Sequence, residues 1–115
     1  GGVTSLARCN AGELLASRQT RELFVEAMRE VEAVARARHI ELAPDAVEKG
    51  LSIAVAFEPT ATSSMQRDVA AGKQFELEAF SGTAVRLSDE AGVPTPVHRT
   101  IYGLLKPALR HAIAD

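Results

Sequence analysis

Two hydroxyls and a carboxylate stand at spacings that could do chemistry. Thr62-Ser63-Ser64-Met65-Gln66-Arg67-Asp68 is followed by Gly72 and then by Glu76. Ser63 with Gln66 three residues on fits a capping box, in which a hydroxyl and an amide satisfy free N–H groups at a helix start. Gly72 suits the stop of that helix, because glycine takes a left-handed backbone without strain. A hydroxyl at a helix entrance and a carboxylate in the following loop could then meet at one site, one offering hydrogen bonds and the other charge. The spacing alone leaves the alternative open, in which Ser63 and Ser64 only cap and Glu76 is only a solvated acid.

Other chemistries are absent or weak. No glycine-rich dinucleotide loop follows a strand pattern, and there is no P-loop. His39, His98 and His111 do not form a ligand pattern and there is no cysteine pair, so no metal site is expected. Ser64, His98 and Asp68 could be drawn as a triad, but many sequences of this length allow such a drawing. The one cysteine, Cys9, cannot form an internal disulfide; it reads as a small core residue in a reducing, cytoplasmic compartment. A net charge of −2 with both signs interspersed excludes the clustered basic face of a nucleic-acid binder, and one Tyr with no Trp leaves little to stack on bases. No apolar run approaches the ~20 residues of a membrane helix, and the N-terminus lacks the pattern of a signal peptide.

The elements that must position the serine stretch read as helices. The 115 residues suffice for one small domain with a real core, and 46% are hydrophobic. Val3 to Cys9 reads as the end of a helix whose beginning is missing, broken by Asn10-Ala11-Gly12. A short turn over Glu13 to Ala16 follows. The clearest helix runs from Thr20 to Arg38, with Leu23, Phe24, Ala27, Met28, Val31, Val34 and Ala35 on one stripe. Arg21, Glu22, Glu26, Arg29, Glu30 and Arg36 are expected on its solvated face, and Glu32 pairs with Arg36. His39 stands at the helix end. Pro44 is placed at the first position of the next helix. That helix runs from Ala46 to Phe57, with Ile53 and Phe57 on a second buried edge, and Pro59 ends it. After Glu76 a helical pattern resumes through Leu77, Phe80, Ala84, Leu87 and Ala91. Ser81 and Gly82 lie in its middle, where small residues admit a close approach, and Gly92 stops it. Thr95 then caps a last helix that opens on Pro96; Pro107 should kink or end it. His98 reads as a local cap. No segment alternates as a strand. The expectation is an all-α fold of about five or six helices, occupying residues 1–115 as a single domain.

The ordered set Thr62-Ser63-Ser64-Met65, Asp68, Gly72, Glu76, Gly82 and Gly92-Val93-Pro94-Thr95-Pro96 resembles the C-terminal domain of ketopantoate reductase (2-dehydropantoate 2-reductase). That fold is similar to the helical C-terminal domains of 6-phosphogluconate dehydrogenase-like enzymes. The resemblance implies the substrate side of an NADPH-dependent enzyme of pantothenate biosynthesis, whose N-terminal Rossmann domain binds most of the NADPH. It implies that Ser64 contacts the 2-oxo acid substrate, and that Glu76 acts as a catalytic residue near the proton-donating lysine and the cofactor. The lysine has no match: Lys49, Lys73 and Lys106 sit in other contexts. The family commonly has an asparagine directly before the glycine matching Gly12, where this chain has Ala11. The expected unit is therefore a substrate domain without its Rossmann partner, inactive alone, either part of a longer enzyme or a stand-alone relative that has lost activity. Rival readings are a related reductase for another 2-oxo acid and a non-catalytic helical dimerisation module.

Overall fold

The computed structural model describes the backbone of residues 2–61, 63–71 and 81–114, and their side chains except those of 64, 65, 69 and 109–114. Among the described residues there are seven helices and no strand: α1 (Gly2–Ala7), α2 (Ala11–Ala16), α3 (Arg18–Ala37), α4 (Ala46–Val55), α5 (Ser64–Ala70), α6 (Thr83–Ala91) and α7 (Pro96–Ala114). The all-α expectation holds, with more helices than expected. The breaker at Asn10 is also a helix start: Glu13 N–H donates to Asn10 Oδ1 at 2.9 Å and Asn10 N–H to Glu13 Oε1 at 3.1 Å, a capping box for α2.

The long helix α3 is the hub, packing against α1, α2, α4, α6 and α7. The molecule extends 41 × 33 × 20 Å, and its thinnest dimension matches two helix layers of ~10 Å each. Leu14, Val34, Val47, Ala54, Ile101 and Leu105 are buried. Val3, Leu6 and Val97 pack around Ile101 and Leu105, joining α1 to α7. Helix α3 closes with a left-handed His39 (φ 60°); Ile40 N–H reaches Ala35 O at 2.9 Å and His39 N–H reaches Arg36 O at 3.0 Å. This is a Schellman turn with histidine in the usual glycine place. Gly92 (φ 71°) stops α6 as expected.

Several expectations change. Pro44 lies before its helix rather than in it: Ala46 N–H bonds Ala43 O, so Pro44 takes the second position of a tight turn and α4 starts at Ala46. Ile53 and Phe57 are 61% and 55% exposed, because only one side of α4 meets α3. Leu23 and Val31 of the α3 stripe are also half-exposed, since the stripe is wider than the surface its neighbours cover. Helix α7 runs on through Pro107 to Ala114. Pro107 forfeits the bond to the Gly103 carbonyl, but both residues are exposed, so water can take that carbonyl. Ser81 is buried and lies with Gly82 in the helical stretch that leads directly into α6. The Glu32–Arg36 pair forms at 3.5 Å on the surface. Gly72 and the helical positions Leu77 and Phe80 lie outside the described residues. No helix among those described is long and apolar enough to cross a membrane.

Candidate functional site

Ser63 is the N-cap of α5. Gln66 N–H donates to Ser63 Oγ at 3.1 Å, and Ser63 N–H meets Gln66 Oε1 at 3.5 Å. The capping box read from the sequence is therefore formed, with its second bond long. Ser64 is the first residue of α5. Its side chain and the whole of Glu76 lie outside the described residues, so their meeting at one site stays a sequence expectation.

Ser63 faces an open cleft of about 540 Å³ lined mainly by residues of α1, α3, α4 and α7. Its walls are apolar, built from Phe24, Met28, Val31, Val47 and Ile101, while Thr4, Ser63, Ser81, His98 and Glu32 supply the polar groups. An apolar cleft with a few convergent polar groups is the usual form of a small-molecule site. The hydroxyls can donate or accept hydrogen bonds, and the apolar wall offers nothing for water to bond. The lining includes no Lys or Arg, so the described residues offer no cation for an anionic group. Among the described residues no three His, Cys, Asp or Glu side chains cluster as metal ligands.

The polar wall at His98 is positioned by a residue that the sequence reading placed in solvent. Glu30 of α3 is 3% exposed. Its carboxylate accepts Val97 N–H at 2.8 Å and His98 N–H at 3.0 Å, from the second and third residues of α7. These are the bonds an N-cap side chain would make. Thr95, the expected cap, sits at the cap position, with Arg99 N–H on its carbonyl at 2.9 Å. Its Oγ1, however, is buried with no partner among the described residues, because Glu30 already occupies the donors it would serve. The signal for Glu30 was its register: Ala27 and Val34 lie three before and four after it, so it shares the inward face. His98 is likewise no cap of its own helix. Its Nε2 lies 2.9 Å from Ala27 O, which makes Nε2 the donor, and its Nδ1 is buried with no partner among the described residues.

Cys9 is half-buried at the α1–α2 corner rather than in the core, because it follows the last turn of α1. Burial, and then the nearby Glu13 carboxylate, push its thiol above the ordinary value. It is therefore a poor nucleophile. The same corner is tied to the approach to α5. Ala11 N–H donates to Ala61 O at 2.9 Å and Gly12 N–H to Pro59 O at 2.7 Å. Gly12 must be glycine there, since a Cβ would stand 2.9 Å from Pro59 Cβ and 3.0 Å from its carbonyl oxygen. Finally, Gln66 Nε2 donates to Cys9 O at 2.6 Å.

Known proteins are similar to this chain in sequence and in fold. The family "Ketopantoate reductase PanE/ApbA C terminal" matches residues 1–108, and the chain belongs to it. The 2-dehydropantoate 2-reductase of Pyrobaculum aerophilum is 32% identical over 104 residues, covering 90% of this chain and 37% of that protein. That of Caulobacter vibrioides is 33% identical over 81 residues, covering 70% of this chain and 28% of that protein. Among solved structures, 2-dehydropantoate 2-reductase from Methylococcus capsulatus superposes with a TM-score of 0.83 at 28% identity, over 96% of this chain and 36% of that one. A dimeric ketopantoate reductase from Staphylococcus aureus reaches 0.89 at 22% identity, over 96% and 39%, a likeness of fold. The chain thus spans between 28% and 39% of the length of these relatives.

Proposed function

We propose that this domain is the substrate side of a cytoplasmic NADPH-dependent reductase that converts 2-dehydropantoate to pantoate for coenzyme A synthesis. The observation that carries the reading is the family match over residues 1–108, joined to a capped serine helix at the rim of an apolar cavity. Ser64 is the substrate-binding hydroxyl. Glu76 is the catalytic carboxylate, orienting the proton-donating lysine and accepting hydrogen bonds from the nicotinamide side. The described residues do not fit NADPH by themselves: they include no glycine-rich phosphate loop, and no cation lines the cavity. The cofactor is therefore assigned to a Rossmann domain of the same protein, and hydride delivery and the lysine with it. What this chain contributes is orientation: hydroxyls hold the substrate's oxygens, and apolar walls exclude water from the reacting carbon.

The test is steady-state kinetics on the full-length protein, following NADPH oxidation with 2-dehydropantoate and with other 2-oxo acids. Turnover on 2-dehydropantoate with a clearly higher kcat/KM than on the others supports the reading; a preference for another 2-oxo acid moves the assignment to a related reductase. The 115-residue chain alone is expected to bind no NADPH by calorimetry, and low-micromolar binding would sink the two-domain assignment. The reading as a dimerisation module has one feature in its favour, the exposed Ile53 and Val55 at the end of α4 and Phe57 just beyond it. Light scattering tests whether a homodimer forms.

A further inference from the structure

We infer that Gln66 is a positioning residue: its amide ties the start of the serine helix α5 to the α1–α2 corner and so sets the spacing of the cavity's hydroxyl wall. The amide works in two directions. Oε1 faces Ser63 N–H at 3.5 Å within the capping box, and Nε2 donates to Cys9 O at 2.6 Å, a residue 57 positions away. The first interaction is local and shapes the helix start. The second is long-range and fixes where that start sits. Thr4 of α1 and Ser63 of α5 both line the cavity, and the Gln66–Cys9 bond links the two elements that present them. The bonds from Ala11 to Ala61 and from Gly12 to Pro59 hold the chain just before Ser63 on the same corner. The approach to Ser63 and the first turn after it are therefore pinned to one place, at residues 9–12.

Only an amide does both jobs at this length. A carboxylate can still accept from Ser63 N–H, but it has no N–H for the Cys9 carbonyl and sets a negative charge against it. Gln66→Glu therefore keeps the cap and removes the tie. Gln66→Met, of similar length, removes both, and serves as the second variant should Gln66→Glu fail to fold.

The kinetic part of the inference rests on the proposed reductase function, and the tie itself does not. Two measurements on the full-length protein keep them apart. The first is alkylation of Cys9 by iodoacetamide, with amide hydrogen exchange at Ala11 and Gly12. Both should speed up in Gln66→Glu by about three- to tenfold, the weight of one hydrogen bond. The second is the kinetic split: KM for the 2-oxo acid rises about three- to tenfold, while KM for NADPH stays within twofold. Unchanged alkylation and exchange in either folded variant overturns the tie. Faster alkylation with both KM values moving together, or neither moving, overturns the positioning role. Faster alkylation in a protein that turns over no 2-oxo acid supports the tie and overturns the reductase reading instead.

Discussion

The assignment of the α7 cap can be decided by two substitutions that ordinary capping rules would rank the other way. If Thr95 capped the helix, as its type and place suggest, Thr95→Val would cost ~0.5–2 kcal/mol and Glu30→Ala little. The structure reverses this. Glu30 accepts two backbone N–H groups at 2.8 and 3.0 Å while 3% exposed, whereas Thr95 Oγ1 is buried and bonds nothing described. Glu30→Ala removes hydrogen bonds to a charged group, ~1.5–3 kcal/mol, and leaves two buried donors short of partners; we take ~2–4 kcal/mol in all. For 115 residues at ~2.1 cal/mol/K each the unfolding entropy is ~0.24 kcal/mol/K, so the loss amounts to about 8–17 °C in Tm. Thr95→Val removes a hydroxyl that contributes no bond, and should leave Tm unchanged or raise it slightly. Glu30→Gln keeps an acceptor without the charge and should fall between. Circular-dichroism melts of the 115-residue chain read all three. A Tm for Thr95→Val lower than that for Glu30→Ala refutes the reasoning.

Other outcomes follow from single contacts. Gly12→Ala meets the Pro59 backbone and should cost ~1–2 kcal/mol net of the helix-propensity gain, whereas Gly50→Ala meets only the flexible Met28 Sδ at 2.8 Å and should melt at or slightly above wild type. In the full-length protein, if it is the proposed reductase, Ser63→Ala should lose ~0.5–2 kcal/mol of stability with little change in turnover, as befits a cap. There Ser64→Ala should weaken binding of the 2-oxo acid, and Glu76→Ala should lower turnover more than Tm; wild-type kinetics in both would remove them from the site. Cys9 alkylation should rise with pH along a curve displaced upward from that of the denatured chain, because burial and Glu13 raise the thiol. The folded value then lies above the unfolded one, so whatever stability Cys9 lends is full below the ordinary thiol range and fades as pH climbs through the folded value. Coincident curves would contradict the burial.

What was legible in the sequence was local. The Ser63–Gln66 box, the stops at His39 and Gly92 and the α3 periodicity all depend on residues within five positions of one another. Their partners are thus fixed by helix geometry alone. What was missed joins distant parts of the chain. Glu30 looks like a surface acid until α7, 67 and 68 residues later, arrives with unpaired donors. Gln66 reads as a capping amide, and nothing in the sequence announces its second bond 57 residues back. Ile53 and Phe57 fail in the opposite sense. Periodicity says that a face is apolar, but not which neighbours are present to cover it.

The two long-range contacts share a logic that bears on the site. A helix start carries N–H groups that its own turns cannot satisfy. When the acceptor comes from the same helix, the start is stabilised but free to sit anywhere. An acceptor from another element also fixes its position. Helix α7 is held this way by Glu30 of α3. Helix α5 uses the complementary device: its capping box is local, so position comes instead from the Gln66 donor on the Cys9 carbonyl. Ser63 and His98, two of the polar groups facing the cavity, stand within the first turn of these two starts. Hydrogen bonds to a substrate discriminate only when donors and acceptors are held to a fraction of an ångström. Attaching both helix starts to their neighbours would give the proposed site that precision without rigid packing inside the cavity itself.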